Sequence, residues 1–220
     1  MLYGSLSSLC ESSPLSLSYL DLSNNLLEGP LLDCWEKFKN LEVLNPSKNK
    51  LSGRIPESFG ALQQMKSMHL NNNNFSGEIP SLALCTRLTV LDLGDNNLKG
   101  ALPTWVGHHL HQLIVLILRG NMFRGNIPKS LCDLSFLQVL DLSQNIITGE
   151  IPQCLSQIIA LSNIQFPRKP FSSFTVSFSY VPSIHWFSDQ ATLTWKGQNR
   201  EYGKNLGVLT IIDLSCNHLT

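Results

Sequence analysis

The sequence lacks the features that mark several large classes of protein. Its 220 residues carry no excess charge, since 16 basic residues balance 16 acidic ones, and a protein without a basic surface is a poor partner for nucleic acid. No apolar run approaches the roughly 18 residues that a membrane-spanning helix needs. Residues 1–9 have neither the basic start nor the long apolar stretch of a secretory signal. These absences argue against nucleic-acid binding and against a membrane span within the chain.

Signatures of enzymes and of metal proteins are missing as well. The six cysteines include no C-x-x-C pair of the zinc type. His108, His109 and His111 lie close together in the sequence, but a zinc site needs further ligands in a defined geometry, so we interpret them as a solvated loop. No phosphate-binding loop, kinase motif or set of nucleophile, base and orienting group emerges. We therefore predict a protein that is not an enzyme and that uses no metal and no cofactor.

What the sequence does contain is a repeat. An asparagine recurs at nearly constant steps along most of the chain, and a last copy follows the regular series after a gap of three repeat lengths. Each copy is similar to residues 137–152, LQVLDLSQNIITGEIP, and self-similarity at a fixed period is the signature of a solenoid. We number the coils one to seven by these asparagines: Asn25, Asn49, Asn73, Asn96, Asn121, Asn145 and Asn217.

Each position of the repeat has a physical role. The leucines point into a coil that is too small to bury its own apolar face, so stacked coils share one continuous core. The L-x-L alternation predicts a short strand, and the asparagine amide can satisfy buried backbone groups. We therefore predict a right-handed α/β solenoid of leucine-rich repeats, with one short parallel β-sheet and a mostly irregular or 3-10 convex side. The predicted strands are 19–23, 67–71, 90–94, 115–119, 139–143 and 211–215.

Two irregularities interrupt the repeat. Pro46 occupies the position of the second strand leucine in coil two, which predicts a shortened or distorted strand because proline donates no ladder hydrogen bond. The periodicity also fails over a stretch that holds 9 of the 18 aromatic residues, and alternation around Phe174 and Leu193 predicts two strands there. We divide the chain into a truncated coil with six coils, an aromatic island (with a decayed repeat as its alternative) and the start of a further repeat: 1–162, 163–205 and 206–220.

The last residues of the repeat indicate which class of leucine-rich repeat this is. Five coils carry Gly-x-Ile/Leu-Pro after the asparagine, as in Gly149-Glu150-Ile151-Pro152, and this ending resembles the plant extracellular class of leucine-rich repeat. The segment with Lys196-Gly197, Glu201-Tyr202 and Ile212-Asp213-Leu214-Ser215 is similar to the end of the island in plant receptor-like proteins, including fungal-xylanase sensors. The resemblance implies a secreted repeat ectodomain with one membrane helix and no kinase in the parent protein. Because both chain ends fall inside a repeat, we expect an internal fragment of such a protein.

The resemblance also implies a function. A receptor-like protein senses ligands at the outer side of the plasma membrane, in defence or development, and signals through co-receptor kinases. It implies that a protein or peptide ligand contacts the island and the concave face of the solenoid, where the strands lie, around His69, Asp92, Arg119 and Asp141. It places a co-receptor kinase ectodomain at Lys196, Arg200, Glu201, Tyr202 and Asp213. The alternatives are a secreted inhibitor of microbial cell-wall-degrading enzymes, against which the island weighs, and a structural or pseudogene-like product. Adjacent strands put His69 beside Asp92, which we interpret as a weak surface ion pair.

Spacing relates four of the cysteines. Cys10 and Cys34 are about one repeat length apart, and so are Cys132 and Cys154, so each pair lies at similar convex positions of neighbouring coils. Each pair is either a disulfide or two small buried hydrophobic residues. Cys85 and Cys216 have no partner at repeat spacing and are expected to be buried free thiols.

One sequence motif predicts a modification. Asn74-Phe75-Ser76 is the only N-glycosylation sequon, because proline disqualifies Asn45-Pro46-Ser47. Asn74 follows the repeat asparagine of coil three and is expected to face solvent, either glycosylated or as an unmodified turn residue.

Overall fold

The computed structural model describes residues 1–11, 16–158 and 210–220, together with the backbone of four strands between the last two ranges. The strand, turn and strand of each coil follow the repeat, so the predicted solenoid of leucine-rich repeats is confirmed.

The strand leucines form one parallel sheet of seven strands, which we call the inner sheet. Alternation within each strand buries the leucines in the core and turns the residue between them to the opposite face. Each of the six predicted strands begins at the expected residue but is shorter than predicted, ending two residues earlier. In chain order the strands are β2 Tyr19–Asp21, β4 Val43–Asn45, β6 Ser67–His69, β8 Val90–Asp92, β10 Val115–Ile117, β12 Val139–Asp141 and β18 Ile211–Asp213.

A second parallel sheet, the outer sheet, was not predicted. It is built from the residues that follow each repeat asparagine, where one fully buried side chain, such as Phe75 or Phe123, is flanked by exposed or partly exposed ones. This alternation covers only a few residues and ends at a glycine of positive φ, which the sequence does not distinguish from a turn. Its strands are β1 Tyr3–Gly4, β3 Leu26–Pro30, β5 Lys50–Gly53, β7 Asn74–Gly77, β9 Asn97–Ala101, β11 Met122–Gly125, β13 Ile146–Gly149 and β19 His218–Leu219.

The convex side is irregular with short 3-10 turns, as predicted. Coil four is the exception, because it carries a short α-helix, α1 Trp105–His109, that packs on the 3-10 turn of coil five. The 3-10 turns are Ser7–Cys10, Trp35–Lys37, Glu57–Ala61, Lys129–Asp133 and Gln153–Gln157.

The repeat asparagines join each coil to the one before it. In coil five the Asn121 Nδ2 donates to the carbonyl oxygens of Leu118, Arg119 and Leu93, each at 3.0 Å, and its Oδ1 accepts from the Leu98 N–H at 3.0 Å. Leu93 and Leu98 belong to coil four, so the amide bridges two coils. The same pattern at the other coils gives a ladder beside the apolar core, and the amide role predicted from the sequence is confirmed.

Pro46 changes the pairing of its strand rather than the strand itself. Strand β4 has three residues like the others, so the predicted shortening of the strand is wrong. Its pairing with β6 ends one pair early, at Leu44 opposite Met68. At the equivalent place in coil three, the Leu70 N–H donates to the Asp92 carbonyl at 2.8 Å, a bond that proline cannot make. The Pro46 carbonyl still accepts from Asn73 at 3.0 Å, so the asparagine ladder continues through coil two.

The Pro46→Leu variant should therefore be more stable than the wild-type protein. Leucine restores the ladder donor and places a leucine at a buried position, which together contribute about 1–3 kcal/mol. For a chain of this size we expect the Tm to rise by roughly 2–4 °C per kcal/mol, measured by circular dichroism. The Pro46→Ala variant restores the N–H without the leucine side chain and separates the two contributions. An unchanged Tm in Pro46→Leu would refute the argument.

Two antiparallel strand pairs lie between coils six and seven. Strand β14 Phe174–Val176 pairs with β15 His185–Phe187, and β16 Ala191–Trp195 pairs with β17 Gln198–Tyr202. Strands β14 and β16 fall where alternation predicts them, although residues 177–180 of the first prediction lie outside the described residues. The proposed island boundaries, 163 and 205, stay a prediction.

The structure joins the two cysteine pairs that spacing relates. Cys10 and Cys34 form a disulfide with a Cα–Cα distance of 5.8 Å, and Cys132 and Cys154 form one with 5.7 Å. Each disulfide links the convex turns of neighbouring coils. Of the remaining cysteines, Cys85 is buried and free as predicted, and burial raises the pKa of its thiol to about 11, which makes it a poor nucleophile. Cys216 is free but exposed, so its predicted burial is wrong.

Candidate functional site

The inner sheet brings most of the predicted ligand residues into one row. The row consists of the last residue of each inner strand, and we call it, together with the residues two positions before and after it, the concave strip. The pairing sets His69 opposite Asp92, Ile117 opposite Asp141, and Asp141 opposite Asp213. Arg119 lies two residues after Ile117 and so belongs to the strip at coil five. Residues that are one repeat apart in the sequence, or three repeats apart for the last pair, therefore become neighbours.

The predicted ligand residues on the strip are buried rather than exposed. The relative exposures of His69, Asp92, Arg119 and Asp141 are 4%, 2%, 3% and 1%. His69 and Asp92 are neighbours as predicted, but they are buried, so the prediction that they form a pair at the surface is wrong. Asp213, in coil seven, is only partly buried.

The aspartates at the ends of four inner strands close the turns that follow those strands. The Asp92 Oδ1 accepts from the Gly94 N–H at 3.0 Å, and the Asp141 Oδ1 accepts from the Ser143 N–H at 3.0 Å and from the Ser143 Oγ at 2.6 Å. An aspartate that binds the backbone two residues on is a common turn former. Sequence reasoning missed this role, although Asp-Leu-Ser recurs in coils one, six and seven and signals it.

Arg119 holds a charge pair across two coils. One of its guanidinium nitrogens lies 2.7 Å from the Asp95 Oδ2 in coil four, and the arginine side chain is nearly inaccessible while that of Asp95 is about one third exposed. A buried arginine needs such a partner, because an uncompensated charge away from water is costly. Burial raises the pKa of Asp92 and of Asp141, and the positive charge of Arg119 opposes part of this increase.

Ser67, His69 and Asp92 form a short polar series on the strip. The Ser67 Oγ and the His69 Nε2 are 2.8 Å apart, and the aspartate lies on the next strand. The order of groups is that of a nucleophile, a base and an orienting acid. Ser67 is fully buried, however, so its hydroxyl is not accessible to a substrate in this structure. The series is best understood as a satisfied polar cluster.

Burial controls the ionisation of the strip. It raises the pKa of Asp92 to about 6, against the opposing effects of the His69 charge, the Gly94 hydrogen bond and Arg119. Burial likewise raises the pKa of Asp141, while the Ser143 hydrogen bonds oppose the change. Asp92 and Asp141 therefore hold their protons at higher pH than exposed aspartates do.

The Asp92→Asn variant should gain stability over the wild-type protein as pH rises. The unfolded carboxyl has its ordinary pKa of about 3.9, so between pH 4 and 6 the folded state keeps a proton that the unfolded state has lost. The wild-type contribution is thus present at low pH and is lost as pH rises through about 6. Asparagine keeps an oxygen for the Gly94 N–H and does not titrate.

The expected difference in the free energy of unfolding is on the order of 2–3 kcal/mol at pH 7 and falls towards zero near pH 4. Urea unfolding of both proteins at pH 4, 5, 6 and 7 measures it. A constant difference across this range would contradict the raised pKa of Asp92.

The remaining predicted residues divide between described and undescribed parts of the chain. Lys196 lies outside the described residues, and for Arg200, Glu201 and Tyr202 only the backbone of strand β17 is described. The structure therefore does not relate these side chains to Asp213. Asn74 is exposed at the start of β7.

The histidine cluster and one cleft lie on the convex side. His108 and His109 are exposed on α1, and His111 is exposed after it. Within the described ranges, no group of three or more His, Cys, Asp or Glu side chains is arranged to hold a metal ion. A cleft of about 820 Å³ is lined by residues of coils five and six, including Lys129, Glu150 and Gln153, and contains none of the predicted ligand residues.

Comparison with known proteins agrees with the repeat. Models of the leucine-rich repeat match residues 86–147, and also 16–38 and 64–84. Receptor-like protein EIX2 of Solanum lycopersicum is 46% identical over 98% of this chain, which covers 21% of that protein. The chain thus spans about a fifth of the length of this relative.

Solved structures give the same result. The ectodomain of the Arabidopsis thaliana membrane receptor kinase GASSHO1/SCHENGEN3, in complex with CASPARIAN STRIP INTEGRITY FACTOR 2, matches 72% of this chain and 19% of its own length, with a TM-score of 0.66 and 35% identity. The plant peptide hormone receptor RGFR1, in complex with RGF2, matches 72% of this chain and 25% of its own length, with a TM-score of 0.64 and 29% identity.

No helix in the described part of the chain is long and apolar enough to cross a membrane. The repeat asparagines, the two parallel sheets and these similarities support one conclusion. The chain belongs to the leucine-rich-repeat family, and it is similar to plant receptor-like proteins over nearly its whole length.

Proposed function

We propose that this chain is part of the ligand-recognition ectodomain of a plant cell-surface receptor-like protein that acts in defence or development. The observation that carries the proposal is the likeness to two receptor ectodomains that were solved with their ligands bound, at TM-scores of 0.66 and 0.64. The 46% identity to a receptor-like protein over nearly the whole chain supports it. The ligand is a protein or a peptide, and the parent protein is a single-pass membrane protein with this chain on the extracellular side.

The inner sheet is the proposed ligand surface. A solenoid presents successive strands side by side, so an extended ligand can contact several coils at once. On this chain the charged members of the strip between coils three and six are His69, Asp92, Arg119 and Asp141. Their burial means that a ligand reaches them only together with a local rearrangement, which predicts slow association.

The co-receptor contact is proposed near the C-terminal end of the chain, around coil seven. Lys196, Arg200, Glu201 and Tyr202 precede coil seven, whose strand β18 carries Asp213. A co-receptor kinase ectodomain that contacts both segments would complete the signalling complex. This assignment rests on the resemblance to receptor-like proteins and on the position of these residues shortly before the last inner strand in the sequence.

Ligand-dependent association with a co-receptor kinase tests the proposal. The full-length parent protein is expressed in plant cells, exposed to purified fungal xylanase, and precipitated, and the bound co-receptor kinase is quantified. We expect xylanase to increase kinase association, and Tyr202→Ala and Lys196→Ala to reduce it. The Asp141→Asn variant, which keeps an acceptor for Ser143, should reduce ligand binding.

Matched controls lie on the convex side, where His108→Ala and His109→Ala change exposed residues. If these controls abolish association while the island and strip variants do not, the assignment of surfaces is wrong. Inhibition of the xylanase by the purified protein, without any kinase association, would instead support the secreted inhibitor.

A further inference from the structure

We propose that Asn74 carries an N-linked glycan, and that this glycan stands on the outer sheet. The inference rests on the proposed passage of the parent protein through the secretory pathway. It concerns a different surface from the concave strip, because Asn74 belongs to β7 of the outer sheet and the strip belongs to the inner sheet.

The strand geometry presents the sequon to solvent. Alternation in a strand places residues i and i+2 on one face and residue i+1 on the other. In β7 the middle residue, Phe75, is fully buried in the core, so Asn74 and Ser76 share the outward face. Asn74 is exposed and Ser76 is partly exposed. The buried phenylalanine thus fixes the direction of the asparagine that would carry the sugar.

The contacts of Asn74 leave its attachment atom available. The Asn74 Oδ1 accepts a hydrogen bond from the Asn97 Nδ2 of the next coil. In the outer sheet Ser76 is the register partner of Asn97, which places these polar groups together. A glycan attaches through Nδ2, and the amide oxygen keeps its acceptor role afterwards. The bond to Asn97 therefore survives modification and orients the amide with its nitrogen available.

The modification is a group transfer with a defined donor. The donor is an oligosaccharide linked to a polyprenyl diphosphate, and the Asn74 Nδ2 attacks C1 of its first sugar. The new C1–N bond forms as the C1–O bond to the diphosphate breaks. One amide proton is lost and the polyprenyl diphosphate leaves, so no oxidant or reductant is needed. Ser76 supplies the hydroxyl that the Asn-x-Ser pattern requires.

A glycan at this place affects where partners can bind. It is bulky and hydrated, and it stands over the outer strands of coils two to four, beside Ser52 and Asn97. A protein partner cannot pack closely on that face. The inner sheet of the same coils, with His69 and Asp92, is a separate sheet and remains unobstructed by it.

Cell-free translation with microsomes tests the modification directly. The chain is fused to a secretory leader, so the test does not depend on the native targeting of the parent protein or on its receptor function. Transfer occurs on the nascent chain, so a folding defect does not hide the result. We expect one added glycan in the wild-type chain, removed by peptide N-glycosidase, and complete loss of the added mass in Asn74→Gln and Ser76→Ala.

Two variants serve as matched controls. Ser76→Thr preserves the sequon and should keep the glycan, and Asn97→Gln changes the neighbouring exposed amide and should also keep it. In the folded, secreted protein the glycosidase should remove the glycan without denaturant, because Asn74 is exposed. An unmodified wild-type chain beside a modified reference glycoprotein, or a glycan that persists in Asn74→Gln, would overturn the proposal.

Discussion

The Asn121→Ala variant should unfold at a much lower temperature than the wild-type protein. The amide of Asn121 makes four hydrogen bonds, to three carbonyl oxygens and one N–H, at 3.0 Å each, and the side chain is only 8% exposed. Alanine leaves those backbone groups without this partner, and an unsatisfied buried group costs about 1–3 kcal/mol. We expect a loss on the order of 4 kcal/mol, or roughly 10 °C in Tm for a chain of this size.

The effect should extend to coil four. Two of the four bonds join Asn121 to Leu93 and Leu98, so the substitution weakens the contact between coils as well as the coil itself. Hydrogen exchange should therefore rise at amides in both coils. Denaturant unfolding measures the total change in the free energy of unfolding.

Two further variants sharpen this test. Asn97→Ala removes an exposed asparagine on the outer sheet and should change stability by less than about 0.5 kcal/mol. Asn121→Asp keeps the acceptor for Leu98 but loses the three donated bonds, so it should be at least as unstable as the alanine variant. A loss below about 1 kcal/mol in Asn121→Ala would show that the ladder contributes little.

The Gly107→Ala variant should also be strongly destabilised, although alanine is the better helix former. In an isolated helix this change would stabilise by about 1 kcal/mol. In α1, however, the added Cβ would overlap the carbonyl of Ser130 and lie 2.8 Å from the Leu131 nitrogen, both in the backbone of the next coil. Backbone atoms cannot turn aside as a flexible side chain can, so coils four and five would have to separate. We expect a loss of about 2 kcal/mol or more.

The neighbouring helix residue provides the control for Gly107→Ala. His108→Ala makes the same helix more alanine-rich at an exposed position, and we expect its Tm to stay within about 2 °C of the wild type. The Tm values of the wild type, Gly107→Ala and His108→Ala are measured by thermal unfolding. A Gly107→Ala protein as stable as His108→Ala would mean that the two coils are less closely packed than the structure shows.

Much of the fold follows from local spacing. The start of each predicted inner strand, from Tyr19 to Ile211, was predicted correctly because a strand residue and its repeat asparagine lie close together in the sequence. The role of Asn121 followed for the same reason. The outer sheet was not predicted, since the alternation around Phe75 is too short to differ from a turn until strands of other coils pair with it.

Pro46 shows a second limit of local reasoning. Its missing N–H is a property of the residue, and the shorter pairing of β4 with β6 follows from it. The length of β4 does not follow, because that strand is also held by its pairing with β2 on the other side, where all three residue pairs form. A strand between two neighbours depends on both of them.

The sequence by itself determined the repeat, the coils and the order of charged residues along the concave strip, because each of these depends on spacing along the chain. Only the tertiary structure decided that His69, Asp92, Arg119 and Asp141 are buried, and that burial raises the pKa of Asp92 to about 6. The physical reason is that burial and ionisation depend on every group packed around a carboxyl. Those groups come from neighbouring coils, and although the spacing of the repeat sets their strands side by side, it does not specify how closely their side chains pack around each carboxyl.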